Sequence, residues 1–359
     1  MERKKKVILA VSGGIDSSTT ALKLINAGYE VRGIYLNLWK GFSEQPTVQN
    51  NSQATLDKLD ALSKKLGFPI SILDRQEQFY NTIVTYFLRS LQMGLTPNPC
   101  VVCNKHIKFK VLFEALQQFD ADLIATGHYA RTRHRQDGSM ALMKGIDRSK
   151  DQSYYLVYLD QSILQRTIFP LGDSKKNDVK NLYRTEIFPH EQLSESQDLC
   201  FLSGLDYRTF LERYAPTSMQ PGEIVDRTGD VLGNHNGLAF YTIGQRKGLQ
   251  ISSPEPYFVL RKHISTNQLV VGHSDELGLN SFKLQNVHWI SGDPGKIERN
   301  YNIKIRYRAK PVQAFIKNDP GHENIFVTLK NTLRDITPGQ FGVLYHKEDV
   351  IAGGEISIE

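Results

Sequence analysis

Apolar residues early in the chain fall into short solid runs separated by stretches with helical spacing. The run VILAV (Val7–Val11) has the length of a buried strand and leads straight into SGGIDSS (Ser12–Ser18). Beyond it, Leu22 and Ile25 keep helical spacing, and Gly28 supplies a helix stop. YEVRGIYL (Tyr29–Leu36) predicts the second strand. Leu56, Leu59, Leu62 and Leu66 line one face of a helix over Ala54–Leu66 that ends at Gly67. A strand at Ile70–Leu73, a helix across Gln78–Leu91, a helix near Lys105–Phe119 and the strand DLIATG (Asp122–Gly127) continue the series. Such alternation predicts an α/β domain, a parallel sheet with helices on both faces, which binds ligands beyond the carboxyl ends of its strands.

The rhythm changes after DYRTFLERYA (Asp206–Ala215). From PGEIVDRTGDVLG (Pro221–Gly233) onward, short strands and Gly/Pro turns dominate. This predicts an α/β domain over 1–210, a small central domain over 211–277 and a C-terminal antiparallel β-barrel over 278–359. NIKIRYRAK (Asn302–Lys310) alternates strictly. On a strand, Lys304, Arg306, Arg308 and Lys310 would share one face about every 6.6 Å, opposite Ile303, Ile305, Tyr307 and Ala309. Four cations without an acid suit a phosphate track; a solvated barrel face is the other reading. RTRHR (Arg131–Arg135), before the Asp137–Gly138 turn, is a second basic cluster, either an RNA-facing loop or a solvated hairpin arm.

Composition narrows the class. The chain has 359 residues, ample for several domains with their own cores, and only three cysteines, which excludes a secreted disulfide framework. The five-residue apolar run behind MERKKK is too short for a signal-peptide core or a spanning helix. The expectation is a protein of the reducing cytoplasm with no membrane contact. A net charge of +6 and a pI near 9.0 hint at a polyanionic partner.

The strand-end loop SGGIDSS carries the first chemistry. Two glycines let backbone amides approach an anion, Ser12, Ser17 and Ser18 offer hydroxyls, and a helix N-terminus adds its positive end. Asp16 is placed to hold Mg2+. No lysine closes the loop, so it is not the G-x-x-x-x-G-K-[ST] motif. A lone glycine pair also fits a plain strand-to-helix turn, but the whole string resembles the S-G-G-x-D-S signature of PP-loop ATP pyrophosphatases. That resemblance implies cleavage of ATP between its α and β phosphates, and adenylation of a substrate oxygen so that a nucleophile displaces it as AMP.

The cysteines bear on the nucleophile. Cys100 and Cys103 stand C-x-x-C in TPNPCVVCNKHIKF, read as a loop held by Pro97 and Pro99, and Cys200 follows in SESQDLCFLSG. Buried free cysteine is common. A Cys₃His zinc set with His106 is another reading, though only one short knuckle is present. A thioredoxin-type pair fits less well, because the motif is not expected to open a helix after a strand. Lys105, His106 and Lys108 are nearby charges that favour thiolates.

AVSGGIDSS, PNPCVVCNKHIKF, ATGHYA, GIDRSKDQSYYL, SQDLCFL, GLAFYTIGQRKGL and GGEI occur in the order and spacing of the tRNA-specific 2-thiouridylases, which the chain resembles from about Val7 onward. The resemblance implies ATP-dependent replacement of O2 by sulfur at the wobble uridine, position 34, of tRNA acceptors for Lys, Glu and Gln. It implies ATP contacts at Ala10, Val11, Ser12, Gly13, Gly14, Ile15, Asp16, Ser17, Leu36 and Gly127, with Mg2+. It places the target base at Asn98, Pro99 and Cys100. It places tRNA contacts at His128, Lys150, Asp151, Gln152, Tyr307, Arg308 and Gln340, and touches at Gln245, Arg246 and Lys247 are a further expectation. Cys200 would take a persulfide from a sulfur-relay protein or cysteine desulfurase. Cys103 would act as nucleophile, forming a transient Cys103–Cys200 disulfide or assisting attack on the adenylated base.

The chain departs from many family members at Cys100, where they carry aspartate. The substitution puts a carboxylate-dependent proton transfer in doubt. It also opens a rival in which Cys100, Cys103 and Cys200 hold a [4Fe–4S] cluster that binds sulfide. An ammonia-using PP-loop ligase would leave the cysteines and the basic barrel unexplained. A metal-stabilised RNA-binding module is the non-enzymatic alternative.

Overall fold

The computed structural model describes residues 3–39, 46–191, 199–202, 205–292, 298–318 and 324–358. The α/β sheet is parallel, in the order β3 (Ile70–Asp74), β2 (Glu30–Asn37), β1 (Lys6–Ala10), β4 (Leu123–Ala125), β7 (Thr167–Ile168). VILAV reads as solid apolar sequence because both faces of the sheet are covered. Val7 and Leu9 point into the core with α1 (Ile15–Asn26) and α2 (Pro46–Leu66), whereas Ile8 points to Leu112, Leu116 and Ile124 on the other side. Strand order reverses beside β1, with β2 on one flank and β4 on the other, so the loops after β1 and β4 border the crevice where such sheets bind ligands.

The central piece is a four-stranded sheet. Its order is β10 (Phe258–His263), β11 (Gln268–Gly272), β8 (Gly222–Val225), β9 (Val231–His235). The C-terminal barrel has six antiparallel strands: β12 (Leu279–Trp289), β15 (Ile325–Leu333), β14 (Val312–Asn318), β13 (Glu298–Lys304), β16 (Phe341–His346) and β17 (Asp349–Ser357). It closes through β12–β17 pairing, which removes its edges.

Three elements differ from the sequence expectation. The hairpin of β5 (Ala130–His134) and β6 (Met140–Lys144) leaves the α/β region and joins the barrel sheet, Val350 pairing with Leu142. RTRHR forms one arm of this hairpin, where Arg131 pairs with Glu348, and Arg133 and Arg135 with Asp349. Secondly, NIKIRYRAK is not one strand. β13 stops at Lys304, Lys304 approaches buried Asp151 at 3.8 Å, and Arg306 turns to the Ile243 carbonyl, Thr337 and Asp335. Two of the four expected track cations are therefore held internally, and Arg308 and Lys310 remain exposed.

Thirdly, the cysteine pair is helical. Pro99 starts a helix (Pro99–Cys103) at N1, where its missing N–H costs nothing. It continues through a π turn (Asn104–Lys108) into the helix Phe109–Gln118. Val101 and Phe109 share a core with Tyr154, Leu156 and Val157, β6, and the barrel residues Phe341, Val343 and Tyr345.

Close packing also routes the 170–176 segment. A Cβ on Gly172 would lie 1.9 Å from the Ala130 carbonyl oxygen, a backbone atom that cannot give way. Gly172→Ala should cost about 1–3 kcal/mol by overpacking. A lowered urea midpoint checks this, and a wild-type midpoint would refute the packing argument.

Candidate active site

The SGGIDSS loop turns at Gly13 (φ +73°), and Gly14 enters α1 in extended conformation with no side-chain cap, leaving the first-turn amides of α1 without that partner. The Ser12 amide donates to Ser17 Oγ at 3.1 Å, and Ser17 Oγ donates to the Gly14 carbonyl at 3.1 Å. Ser18, expected to offer a hydroxyl, is instead fully buried. Across the crevice, a Cβ on Gly127 would meet the Asp16 carbonyl carbon and the Ser17 nitrogen at 3.1 Å, so a side chain here would crowd the turn that the strand end approaches. Ala10 and Val11 close β1 beside β2, where the Val11 amide donates to Ile34, and half-buried Leu36 stands near the end of β2. These residues line a backbone cradle suited to phosphates.

Two residues here escaped the sequence reading. Lys176 Nζ donates to both Asp16 oxygens, at 2.6 and 2.7 Å, and Tyr129 Oη donates to Asp16 Oδ1 at 2.8 Å. Tyr129 lies within ATGHYA, a motif with a readable signal. Lys176 stands 160 residues from Asp16 and carries none.

The three cysteines are thiols that lie near one another, Cys100 and Cys200 both raising Cys103 and Cys100 raising Cys200. Cys103 is buried in a core with Phe201 and Leu202, and Phe201 packs its ring 5.1 Å from Phe87 and 5.3 Å from Phe210. Those contacts anchor Cys200, the residue before Phe201. Cys100 and Cys200 reach solvent, but surrounding protein still pushes both thiols up. Burial pushes Cys103 up to about 12, with Lys108 opposing.

Lys108 lowers all three thiols, and the π turn explains its placement. Five residues along a regular α-helix is roughly 140° away from the starting face. Here the Phe109 amide donates to the Asn104 carbonyl, an i→i+5 turn that carries Lys108 back towards the face of Cys103. Lys105 and His106 are different. Lys105 stacks over Tyr158 at 4.4 Å, and both line a separate cleft with His288 and Glu355. Only Lys108 of the three serves the thiols.

The other expected contacts divide by exposure. Arg308, Arg246 and Lys247 are exposed; Asn98, Lys150, Gln152 and Tyr307 are partly so. Tyr307 packs on Tyr155 at 4.4 Å, and Cys100 raises Tyr155 after burial does. Thus Cys100, Tyr155 and Tyr307 are neighbours. Gln152 Oε1 accepts from the Tyr129 amide, and Gln245 bonds within its own turn. Pro99 is buried. Asp151 is buried too, accepting from the Gly145 and Ser153 amides. Gln340 Nε2 is likewise engaged, donating to the Thr96 carbonyl and fastening the TPNP segment to the barrel.

His128 accepts or donates at Nδ1 with Thr126 Oγ1 (2.7 Å) between the rings of Phe109 and Phe169. Burial, then Lys108, pushes it down to about 3, so it is neutral at pH 7.

Comparison with known proteins places this geometry. The tRNA methyl transferase HUP domain model matches residues 5–204, the tRNA methyl transferase PRC-barrel domain model 208–273, and the Aminomethyltransferase beta-barrel domain model 279–356. The tRNA-specific 2-thiouridylase MnmA of Carboxydothermus hydrogenoformans is 38% identical over 360 residues, covering 98% of each chain. That of Lactiplantibacillus plantarum is 36% identical over 98% of this chain and 95% of its own. The chain belongs to the tRNA-specific 2-thiouridylase family. The family is one of PP-loop ATP-binding proteins, consistent with the cradle at SGGIDSS.

The metal readings fit less well. Among the described residues no three Cys, His, Asp or Glu side chains converge to hold an ion. Neither the zinc set nor the Cys100, Cys103, Cys200 cluster set has ion-binding geometry among these residues.

Two outcomes follow from the electrostatics. Iodoacetamide at pH 7.5 should label Cys100 and Cys200 faster than Cys103, and Lys108→Met should slow all three, as read by peptide mass spectrometry. Fastest labelling at Cys103, or unchanged rates in the variant, would contradict this account. His128 is held neutral with a folded pKa below the unfolded value of ~6.5. Its contribution to stability is complete above that value and drains away as pH falls towards about 3. Between pH 7 and 4 the melting temperature of His128→Asn should therefore fall less steeply than that of the wild type; parallel slopes would refute it.

Proposed function

We propose that this chain is a tRNA-uridine 2-sulfurtransferase that thiolates the wobble uridine, position 34, at the expense of ATP. The observation that carries the reading is the nearness of Cys100, Cys200 and Lys108 to Cys103 in a chain that also holds a phosphate cradle at a sheet switch point. Kinship with 2-thiouridylases supplies the substrate class.

The uridine O2 attacks the α-phosphorus of ATP and pyrophosphate leaves. The terminal sulfur of a Cys200 persulfide then attacks C2, and AMP departs with the oxygen. Cys103 as thiolate attacks Cys200 Sγ, leaving sulfur on C2 and forming a Cys103–Cys200 disulfide that a reductant reopens. Exposed Cys200 can meet a sulfur-relay protein or cysteine desulfurase, while buried Cys103 is shielded from chance oxidation. Because burial raises the thiols, the resting site holds them protonated, and Lys108 is the cation that favours the thiolate. Backbone amides of Gly13 to Ser17 and the hydroxyl of Ser12 would hold the phosphates, and Asp16 would hold Mg2+.

The base would enter at Asn98 and Cys100, beside Tyr155 and Tyr307. Arg308, Lys150 and Gln152 would contact the RNA there, with Arg246 and Lys247 as outlying cations; acceptors for Lys, Glu and Gln are the proposed substrates. His128, neutral, would serve as a packed hydrogen-bonding group and not as a cation. Among the described residues no helix is long and apolar enough to cross a membrane, and free thiols suit a reducing cytoplasm.

A single-turnover assay with unmodified tRNA, ATP–Mg2+ and a sulfur donor should yield 2-thiouridine on nucleoside analysis. Absence of product with an active donor would overturn the proposal. Cys103→Ser and Cys200→Ser should abolish thiolation. Cys100→Asp should keep substantial activity, and its complete loss would make the Cys100 thiol indispensable.

A further inference from the structure

A cleft of about 630 Å3 opens between the central sheet and the barrel. One wall is β10 with the turn between β8 and β9, and the other is the end of β15 with the residues that follow it. Arg261 enters the cleft from the first wall and Arg334 from the second. Both are exposed, and among the described residues neither forms an ion pair. The acids of the cleft are already engaged. Glu276 accepts from Arg227 at 3.2 Å and from the His273 amide at 2.8 Å. Asp226 Oδ1 accepts from the amides of Thr228, Gly229 and Asp230. Arg227 and Glu276 cancel, so Arg261 and Arg334 together outweigh Asp226.

Both walls of this cleft rest on the chain just before the target-base segment. At the end of β10, a Cβ on Gly94 would lie 2.6 Å from Ile264 Cδ1 and 3.7 Å from Lys262 Cβ. On the barrel side, a Cβ on Gly339 would lie 2.8 Å from Leu95 Cβ and 3.0 Å from the Thr96 nitrogen. The Thr96 amide donates to the Pro338 carbonyl at 2.9 Å, and Gln340 Nε2 donates to the Thr96 carbonyl at 2.8 Å. The chain from Arg334 to Gln340 therefore lines the cleft at one end and holds Thr96 at the other. A single exposed arginine is ordinary surface. Two that enter one cleft from different domains repel each other, and an anion between them turns that repulsion into attraction. Guanidinium groups suit phosphate oxygens, which they grip through paired N–H donors.

We propose that this cleft is a clamp for the RNA backbone, in which Arg261 and Arg334 grip one phosphate from opposite walls and so fix the Thr96–Asn98 segment for the target base. This rests on the reading of the chain as a tRNA-thiolating enzyme, which supplies the polyanion. Exposed guanidinium groups fit a phosphate that keeps part of its own water, as a strand of RNA lying across the cleft does. The clamp joins the central domain to the barrel through the substrate. Its two walls are the ones that touch Gly94, Leu95 and Thr96, so closing on RNA draws them together behind the segment that receives the base.

Equilibrium binding of unmodified tRNA to the full-length protein over a salt series tests this. Arg261→Gln and Arg334→Gln should each bind about tenfold more weakly at low salt, the loss of one charge-assisted contact. Each should also lower the slope of log affinity against log salt by about one. The double variant should lose less than the two single losses multiplied, because both arginines serve one phosphate. Wild-type affinity and slope in the single variants, or fully multiplicative losses, would overturn the clamp. In single-turnover thiolation at saturating tRNA, the double variant should remain slower than wild type, because the segment at Thr96 is no longer fixed. A wild-type rate at saturation would overturn the positioning role. Melting temperatures should match wild type, since both side chains are exposed and unpaired. If one variant does not fold, the other decides alone through its affinity and slope. Binding and thiolation are read separately. Wild-type protein that binds tRNA but forms no 2-thiouridine would overturn the enzymatic reading and leave the clamp to the binding data. Wild-type protein that binds no tRNA would overturn the clamp itself.

Discussion

The structure depends on a core that belongs to neither end of the chain alone. Tyr154, Leu156 and Val157 are fully buried between the helix that begins at Pro99, the β5–β6 hairpin and the barrel residues Phe341, Val343 and Tyr345. Tyr154 Oη donates to the Phe341 carbonyl at 2.9 Å, so this apolar junction also satisfies its buried hydroxyl. The cysteine helix is therefore clamped on one side by the barrel, while Cys103 packs on the other with Phe201 and its aromatic neighbours. The TPNP segment is pinned from the same side, by the Thr96 amide to Pro338 and by Gln340 to Thr96. A rearrangement of the barrel would be felt at Asn98 and Cys100 through these bonds.

Electrostatics in the site are set by a contest between burial and one ammonium. Lys108 lowers each thiol, but burial is the larger effect at every cysteine, and at Cys103 most of all. A resting protonated thiol resists oxidation, so reactivity has to come from changes that RNA or a sulfur donor brings to the exposed rim. The same charge explains the neutral His128, for Lys108 adds to the burial that keeps its ring unprotonated.

Much of the architecture was legible because it is written in local periodicity. Solid apolar runs marked strands covered on both faces, and glycines at 28 and 67 marked helix ends in left-handed conformation. The shift to short strands after Ala215 marked the change to β structure. What stayed hidden depends on long-range contact or on helix phase. NIKIRYRAK has perfect strand alternation, yet buried Asp151, and Asp335 with Thr337, draw Lys304 and Arg306 inward, a pull that no local pattern records. The hairpin RTRHR showed its cations but not the acids at 348 and 349 that receive them. The prolines around Cys100 read as a loop because Pro97 and Pro99 flank it, although Pro99 at N1 is a helix opener.

The phase of one helix then determines what the C-x-x-C spacing means. Residues three apart on an α-helix share a face, so Cys100 and Cys103 point the same way, one at the rim and one a turn deeper. Without the π turn, Lys108 would rotate away from that face, and no other residue of NKHIK would replace it, since Lys105 and His106 line the cleft against Tyr158. The extra residue in that turn therefore fixes the charge of the whole thiol group. Spacing within the motif positions the two sulfurs; the backbone irregularity after it supplies their cation.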